Sequence, residues 1–271
     1  MKRKAWYYIL LGLFGAAFVV SAVMLITYYS RDQKQAIIYE ELSQLYNMET
    51  PTPIPVDENG VPQPERIWVT VKSEKLETEQ KMLPEFEELY KQNPDIAGWI
   101  TIPGTRIDYP VMHAPDRTDH YLKRNFYGEY SAQGSIYARE QCDLLRPSDN
   151  VTLYGHHMKS GAMFADLTNY RSKAFWEEHR YISMSSLQQR HTYEIFAVFT
   201  TTASVGEGFA YHTFVDATGE ADYNQYIQSC QSLSLYDTGI TPTYGDKLIT
   251  LSTCEYSQTN GRLVVVARCI D

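Results

Sequence analysis

A cysteine and an arginine near the end of the chain are the residues best suited to chemistry. Residues 248–254 read as a β-strand that ends at Cys254, and a second strand begins at Arg262. Side chains alternate along a strand, so Cys254 shares a face with Ser252. If the connection is a hairpin with the loop 255–261, Cys254 lies opposite Arg262 with Cβ atoms roughly 5 Å apart. The sequence therefore predicts a thiol beside a permanent cation.

This pairing favours nucleophilic chemistry, provided that a general acid/base lies nearby. A thiolate is the nucleophilic form of cysteine, and a guanidinium stabilises it or an oxyanion formed next to it. The best acid/base candidates follow an apolar strand, 150–154, that ends at a glycine and leads into His156 and His157. Cysteine, histidine and arginine at three strand ends would form a site for acyl transfer. The alternative for Arg262 is a surface charge at a strand end.

Four segments of the chain carry a family resemblance: Thr250-Leu251-Ser252-Thr253-Cys254 followed by Arg262, Tyr154-Gly155-His156, Met163-Phe164-Ala165-Asp166-Leu167, and the stretch 93–111. They resemble the sortases, the transpeptidases that attach proteins to Gram-positive cell walls, and most closely class B. The similarity extends from about Phe86 to Asp271 in the family's order, and residues 30–80 carry none of it.

The resemblance implies a function for each candidate residue. Cys254 would attack the Thr carbonyl of a C-terminal sorting signal and form an acyl-enzyme, while His156 protonates the leaving amine. His156 would then accept a proton from an incoming amine of a cell-wall precursor or a pilin lysine. Arg262 is expected to hold the substrate backbone or the oxyanion. The residues expected to line the substrate groove are Leu122, Tyr154, Phe209, Ser252 and Glu255, the last also offering its backbone N–H as an oxyanion donor.

The predicted fold is mainly β with helices. Short β-rich runs alternate with turns, as in a closed sheet, at 99–102, 134–138, 150–154, 192–202, 247–254 and 263–270. Helical periodicity occurs at 84–91, 162–180 and 222–233, and in the last of these Tyr223, Tyr226, Ile227 and Cys230 share one stripe. The resemblance implies an eight-stranded sortase-type β-barrel with N-terminal helices and an extra helix before the catalytic strand.

The first thirty residues predict a cytoplasmic tip and a transmembrane signal-anchor. Three basic residues follow Met1, and an apolar run from Ala5 to Tyr29 is long enough to cross a bilayer as a helix. Basic residues before the run and aromatic residues at both of its ends orient the amino terminus toward the cytoplasm. A cleaved signal peptide is the alternative. The expected location is the cell membrane, with one span and an extracellular catalytic domain.

The remainder divides into a spacer and one domain. Residues 31–80 are predicted to be an extracellular stalk, because a polar, helix-compatible segment is followed by five prolines between positions 51 and 64. Residues 81–271 have the length of a single catalytic domain.

Several other functions are not favoured by the sequence. The net charge of −9 gives no support for nucleic-acid binding. His156 and His157 are adjacent and point to opposite sides of an extended backbone, and no spaced set of ligands completes a tetrahedral metal site near them. No metal or cofactor is therefore predicted. The other cysteines, Cys142, Cys230 and Cys269, are interpreted as small buried residues, and the other five histidines as surface or structural groups.

Two alternative functions remain open. A pilin polymerase would use the same residues with a lysine acceptor. An inactive, membrane-tethered module would bind sorting signals without cleaving them, although such a module has no need for a thiol at the strand end. The partners predicted are surface proteins that carry sorting signals, a cell-wall or pilin amine, and the membrane through the N-terminal helix.

Overall fold

The computed structural model describes residues 2–49, 82–204, 206–256 and 260–271. It begins with a long helix, α1 (Lys2–Glu49), and continues with α2 (Pro84–Gln92), α3 (Lys173–Glu178) and α4 (Glu220–Leu233). Short 3₁₀ helices occupy His120–Lys123, Ala165–Arg171 and Tyr211–Thr213. The strands within the described residues are β1 (Ile96–Thr101), β2 (Asp108–Met112), β3 (Ile136–Ala138), β4 (Asn150–Tyr154), β5 (Tyr181–Ser186), β6 (Arg190–Thr202), β7 (Leu248–Glu255) and β8 (Gly261–Cys269).

The chain divides into two compact units, and the boundary between them falls within helix α1. One unit ends at Glu41, and the other comprises Leu42–Asp271. The first contains an apolar stretch with a mean hydropathy of 2.7, which is long and apolar enough to cross a membrane. Its large apolar side chains are exposed, as Phe14 and Phe18 illustrate. The proline-rich part of the predicted stalk lies outside the described residues.

The end of α1, within the second unit, packs on the barrel. Tyr46 stacks on Trp99 with ring centroids 4.4 Å apart, and its hydroxyl donates to Ser185 Oγ at 3.1 Å. Ser43 Oγ donates to Asp108 Oδ2 at 2.7 Å. Part of the stretch 31–80, which the sequence predicts to be a spacer, is therefore packed against the strands.

The eight strands form a closed barrel in the order β1-β2-β3-β4-β7-β8-β6-β5. Most neighbours are antiparallel, while the pairs β2–β3 and β4–β7 are parallel. The predicted eight-stranded barrel is thus confirmed. Two of its strands, β2 and β5, are not among the runs singled out in the sequence. Strand β2 contains Pro110, which weakens a strand pattern, and β5 ends in Met184-Ser185-Ser186, without a clear alternation of apolar and polar residues.

The helical predictions hold at 84–91 and 222–233 and fail at 162–180. Helix α2 and helix α4 lie where periodicity places them, and Tyr223, Tyr226, Ile227 and Cys230 are all buried against β6, β7 and β8. The single helix predicted at 162–180 is wrong. Met163 has a left-handed backbone with φ of 58°, and Ser172 is extended and caps α3 by accepting from Phe175 N–H. The segment is therefore a 3₁₀ helix followed by a short α-helix.

The parallel pairing of β4 with β7 determines where the candidate residues meet. Tyr154 lies beside Ser252 in this pair, so β4 and β7 end at the same end of the barrel. Strand β8 is antiparallel to β7 and begins there, with Cys254 opposite Arg262. The predicted pairing of Cys254 with Arg262 is thus confirmed, and the same register continues to the bond from Cys269 N–H to the Lys247 carbonyl at 2.7 Å.

Replacing Gly98 with alanine should destabilise the barrel by roughly 1–3 kcal/mol, the usual cost of overpacking a tight site. A Cβ at this position would lie 2.2 Å from the Ser185 carbonyl oxygen and 2.8 Å from Met184 Cε, where β1 meets β5. Chemical denaturation measures the change in unfolding free energy. Gly219→Ala is the matched control, because its Cβ would have no neighbour within 4 Å, and as the N-cap of α4 it should lose less than about 1 kcal/mol. Equal stability of the two variants would contradict the prediction.

Candidate active site

A cavity of about 460 Å³ opens at the barrel end where β4 and β7 terminate. It is lined by the ends of these strands, the start of β8, and loop residues that precede and follow β3. Of the eight residues predicted from the sequence, six line this cavity: Leu122, Tyr154, His156, Ser252, Cys254 and Arg262. The closed sheet thus brings together a thiol, an imidazole and a guanidinium from distant parts of the chain.

Cys254 lies near the end of β7 and is only partly buried. The two residues that precede it, Ser252 and Thr253, are tied to Gly155 at the end of β4. Thr253 Oγ1 donates to the Gly155 carbonyl at 2.8 Å, and Gly155 N–H donates to the Ser252 carbonyl at 3.2 Å. These bonds fix the strand end that carries the thiol relative to the loop that carries His156.

Gly155, which precedes His156, is closely surrounded by side chains. A Cβ here would lie 2.5 Å from Ile136 Cδ1 and 2.7 Å from Phe164 Cδ2, so close packing excludes a side chain. The His156 carbonyl accepts from Phe164 N–H at 3.0 Å, which holds the loop against the barrel. The glycine that precedes the histidine therefore has a packing role.

The hydrogen bond of His156 determines which ring nitrogen exchanges a proton. His156 Nε2 lies 2.8 Å from the Leu122 carbonyl oxygen. A carbonyl only accepts, so Nε2 must carry the hydrogen, and the neutral ring then has its lone pair on Nδ1. Nδ1 is thus the nitrogen that can take up and release a proton.

His157 faces a different environment. Its Nδ1 lies 3.2 Å from the Cys254 carbonyl oxygen, and its own carbonyl accepts from the Tyr256 hydroxyl at 3.1 Å. The cavity lining includes His156 and not His157. The two adjacent histidines thus have separate contacts, one with the cavity wall and the other with the backbone of the cysteine.

The charge of Arg262 is available to a ligand, whereas that of Arg268 is neutralised. Arg262 Nη1 donates to the backbone carbonyls of Asn260 and Gly261 at 3.3 and 3.0 Å, and among the described residues it makes no ion pair. Arg268 forms a salt bridge with Glu194 at 3.1 Å. Arg262, which lies opposite Cys254, can therefore still bind an anionic oxygen, whereas Arg268 is already paired.

Residues that sequence reasoning did not identify complete the cavity. Tyr211 bonds to Ser252 Oγ at 2.6 Å, and burial raises its pKa to about 12, so the hydroxyl stays neutral. Burial lowers the pKa of His212, and the Arg139 cation acts in the same direction. These residues lie in loops between elements, where no periodicity signals a role. Further lining residues are Asp119, Tyr137 and Glu140.

Two predicted groove residues lie elsewhere. Phe209 packs on Phe199 and Tyr226, with ring centroids 5.9 and 5.8 Å away, at the edge of the core under α4. The Glu255 side chain is buried and forms a 2.6 Å ion pair with Arg171. Neither belongs to the cavity lining. Apolar packing accounts for the position of Phe209, and charge pairing accounts for that of the Glu255 side chain.

Comparison with known proteins agrees with this geometry. A family model described as the sortase domain matches residues 100–270. Sortase B of Staphylococcus aureus is 33% identical over 195 residues, 71% of this chain and 77% of the relative. Sortase B of Listeria monocytogenes is 35% identical over 190 residues, 69% of this chain and 74% of the relative.

A solved structure is similar over a larger part of the chain. It is a complex of S. aureus sortase B with a substrate, and it has a TM-score of 0.71 and 29% identity. The similarity covers 89% of this chain and 98% of that one. The fold, the family model and the curated relatives agree, and the chain therefore belongs to the sortase family, among the class B cysteine transpeptidases.

Proposed function

We propose that this sortase is a membrane-anchored transpeptidase that cleaves a C-terminal sorting signal after Thr and transfers the protein to a cell-wall amine. The observation that carries the proposal is that His156, Cys254 and Arg262 line the same cavity. A nucleophile, a proton carrier and a cation around one cavity are the groups that acyl transfer to an amine requires.

The first half of the reaction forms an acyl-enzyme. Cys254 Sγ attacks the Thr carbonyl carbon, and the oxyanion that develops is stabilised by Arg262 and the backbone N–H of Glu255. His156 Nδ1 takes the proton of the Cys254 thiol and gives it to the leaving amine as the peptide bond breaks. Glu255 follows the nucleophile, and its side chain is held by the ion pair with Arg171. This contact supports the assignment of the Glu255 backbone N–H as the second oxyanion donor.

The second half transfers the acyl group. His156 takes a proton from the incoming amine, whose nitrogen attacks the thioester carbon, and Cys254 leaves as the thiolate. The hydrogen bond from Nε2 to the Leu122 carbonyl holds the ring while Nδ1 exchanges protons. One histidine thus serves as acid and then as base.

The anchor is proposed to be the apolar part of α1. Its hydropathy and length suit a membrane span, and the basic residues before it favour a cytoplasmic amino terminus. The domain would then face the cell wall. Protease added to protoplasts should digest the domain, and full protection of the domain would contradict this orientation.

Mass spectrometry of the detergent-solubilised full chain tests the reaction. The protein is incubated with a library of sorting-signal peptides, first alone and then with candidate amines. We expect a Cys254-linked acyl group that ends in Thr, and transfer products with a cell-wall amine. Preferential transfer to a lysine side chain would indicate a pilin polymerase instead. Peptide binding without any acyl-enzyme would indicate a binding module.

Replacing Arg262 with alanine should lower the acylation rate about 100-fold or more, the scale for loss of an oxyanion donor. Arg268→Ala should stay within about tenfold of wild type, since that charge is already paired with Glu194. Single-turnover acylation measures both variants. Arg262→Lys keeps the charge and loses the planar fork, so near-normal activity in it would mean that Arg262 supplies only a positive field.

A further inference from the structure

A second group of reactive side chains lies at the other end of β8. His191 is at the start of β6, Cys269 ends β8, and Asp271 follows two residues later. Cys269 is seven positions beyond Arg262, which corresponds to ~24 Å along an extended strand. This cluster is therefore separate from the catalytic cavity.

The three side chains have the spacing of metal ligands. His191 Nδ1 lies 3.1 Å from Asp271 Oδ1 and 3.8 Å from Cys269 Sγ, and Sγ lies 3.0 Å from the same carboxylate oxygen. Zinc bonds of ~2.0–2.3 Å at tetrahedral angles place neighbouring ligand atoms roughly 3.3–3.6 Å apart. Shifts of about half an ångström would bring all three atoms onto one ion.

The backbone and the burial of the cluster pre-organise it. Thr192 N–H donates to Asp271 Oδ2 at 2.8 Å, which leaves Oδ1 directed at the histidine and the thiol. Ile270 N–H donates to the Thr192 carbonyl at 3.0 Å and ties the end of the chain to β6. The side chains of His191 and Asp271 are only 21% and 11% exposed. Asp271 is exposed as a residue, but its carboxylate is held by these bonds, and ligands held in place lose little freedom on binding.

We propose that His191, Cys269 and Asp271 form a binding site for Zn²⁺, with solvent in the fourth position. A thiolate and an imidazole select a borderline-soft ion, and the carboxylate adds the negative charge that zinc sites tolerate. On binding, the Cys269 thiol releases its proton to solvent, and the hydrogen that His191 Nδ1 directs at Asp271 is exchanged through solvent for one on Nε2, so that the sulfur and Nδ1 can both bond to the metal. The bound ion would link β6 to the segment after β8.

Without a metal, the thiol is held in its protonated form. Burial raises the pKa of the Cys269 thiol to about 12, and the hydrogen bond to Asp271 adds to the effect. Zinc therefore competes with a proton for the sulfur. Because the ion binds only the folded chain, it should raise the unfolding temperature.

Cobalt titration of the full chain in detergent tests the site. The experiment uses the Cys254→Ala variant stripped with a chelator, so that the catalytic thiol cannot contribute. We expect one equivalent of Co²⁺ to produce a thiolate-to-cobalt charge-transfer band that Zn²⁺ abolishes, together with a zinc-dependent rise in unfolding temperature. The added substitutions Cys269→Ser and His191→Ala should each remove the band.

Cys142→Ser is the control, because this buried thiol donates to the Asn150 carbonyl, a bond that a serine can keep. Its band should equal that of the parent. Circular dichroism verifies that the Cys269 and His191 variants are folded. Absence of the band at millimolar cobalt in the parent, or a band that survives Cys269→Ser, overturns the proposal. Neither result affects the proposed transpeptidation, which is measured without added metal.

Discussion

Replacing Cys254 with alanine should abolish both cleavage and transfer of sorting-signal peptides, with a loss of at least about 10⁴-fold. The thiol is the nucleophile, and its loss leaves a cavity without a group that can form the acyl bond. The side chain is only partly buried, so its truncation creates little enclosed space and the fold should persist. Mass spectrometry measures the acyl-enzyme, and thermal unfolding verifies the fold.

Cys269→Ala is the matched control for this change. Cys269 is half-buried like Cys254 and lies at the opposite end of β8, so its loss should leave peptide turnover unchanged. If Cys254→Ala retains more than trace turnover, Cys254 is not the nucleophile. If Cys269→Ala is instead the inactive variant, the assignment of the two thiols is reversed.

Replacing His156 with alanine should lower the acylation rate by about 100-fold or more, the usual contribution of a general acid/base. His156 lines the cavity, and its bond to the Leu122 carbonyl leaves Nδ1 free to carry the proton. His212 also lines the cavity, but it lies between β6 and α4 rather than directly after β4. Single-turnover acylation with a sorting-signal peptide measures the effect.

His157→Ala is the comparison, and it should remain within about tenfold of wild type. Its contact is with the Cys254 carbonyl rather than with the cavity, so its loss should loosen the end of β7 without removing a proton carrier. If His157→Ala is inactive while His156→Ala is active, His157 and not His156 is the general acid/base. Unfolding temperatures separate a loss of chemistry from a loss of stability.

The sequence is most informative where local rules determine the structure. Alternation with period two and the length of the loop are sufficient to place Cys254 opposite Arg262, because an antiparallel hairpin has only one register for a given loop. The stripe on α4 likewise follows from helical periodicity, and its four residues are buried together. The histidine loop was identified from the strand that precedes it.

The sequence is less informative where partners are distant along the chain. Nothing near Tyr211 indicates that its hydroxyl meets Ser252, and nothing near Phe209 indicates that its ring packs under α4 instead of lining the cavity. Helix α1 extends through the polar segment after the apolar run, and its last turns acquire a role through contacts with the strands, such as the stacking of Tyr46 on Trp99. These positions depend on tertiary packing, which local patterns do not encode.

The parallel pairing of β4 with β7 also governs when activity appears during folding. Thr253 and Gly155, whose hydrogen bond ties the two strands at the site, are 98 residues apart along the chain. Closing so long a loop costs entropy before the contact is formed, which makes this pairing a slow step. Until it forms, the thiol and the imidazole belong to separate parts of the chain. A chain that lacks this pairing should therefore be inactive, and activity should appear only once β4 and β7 have paired.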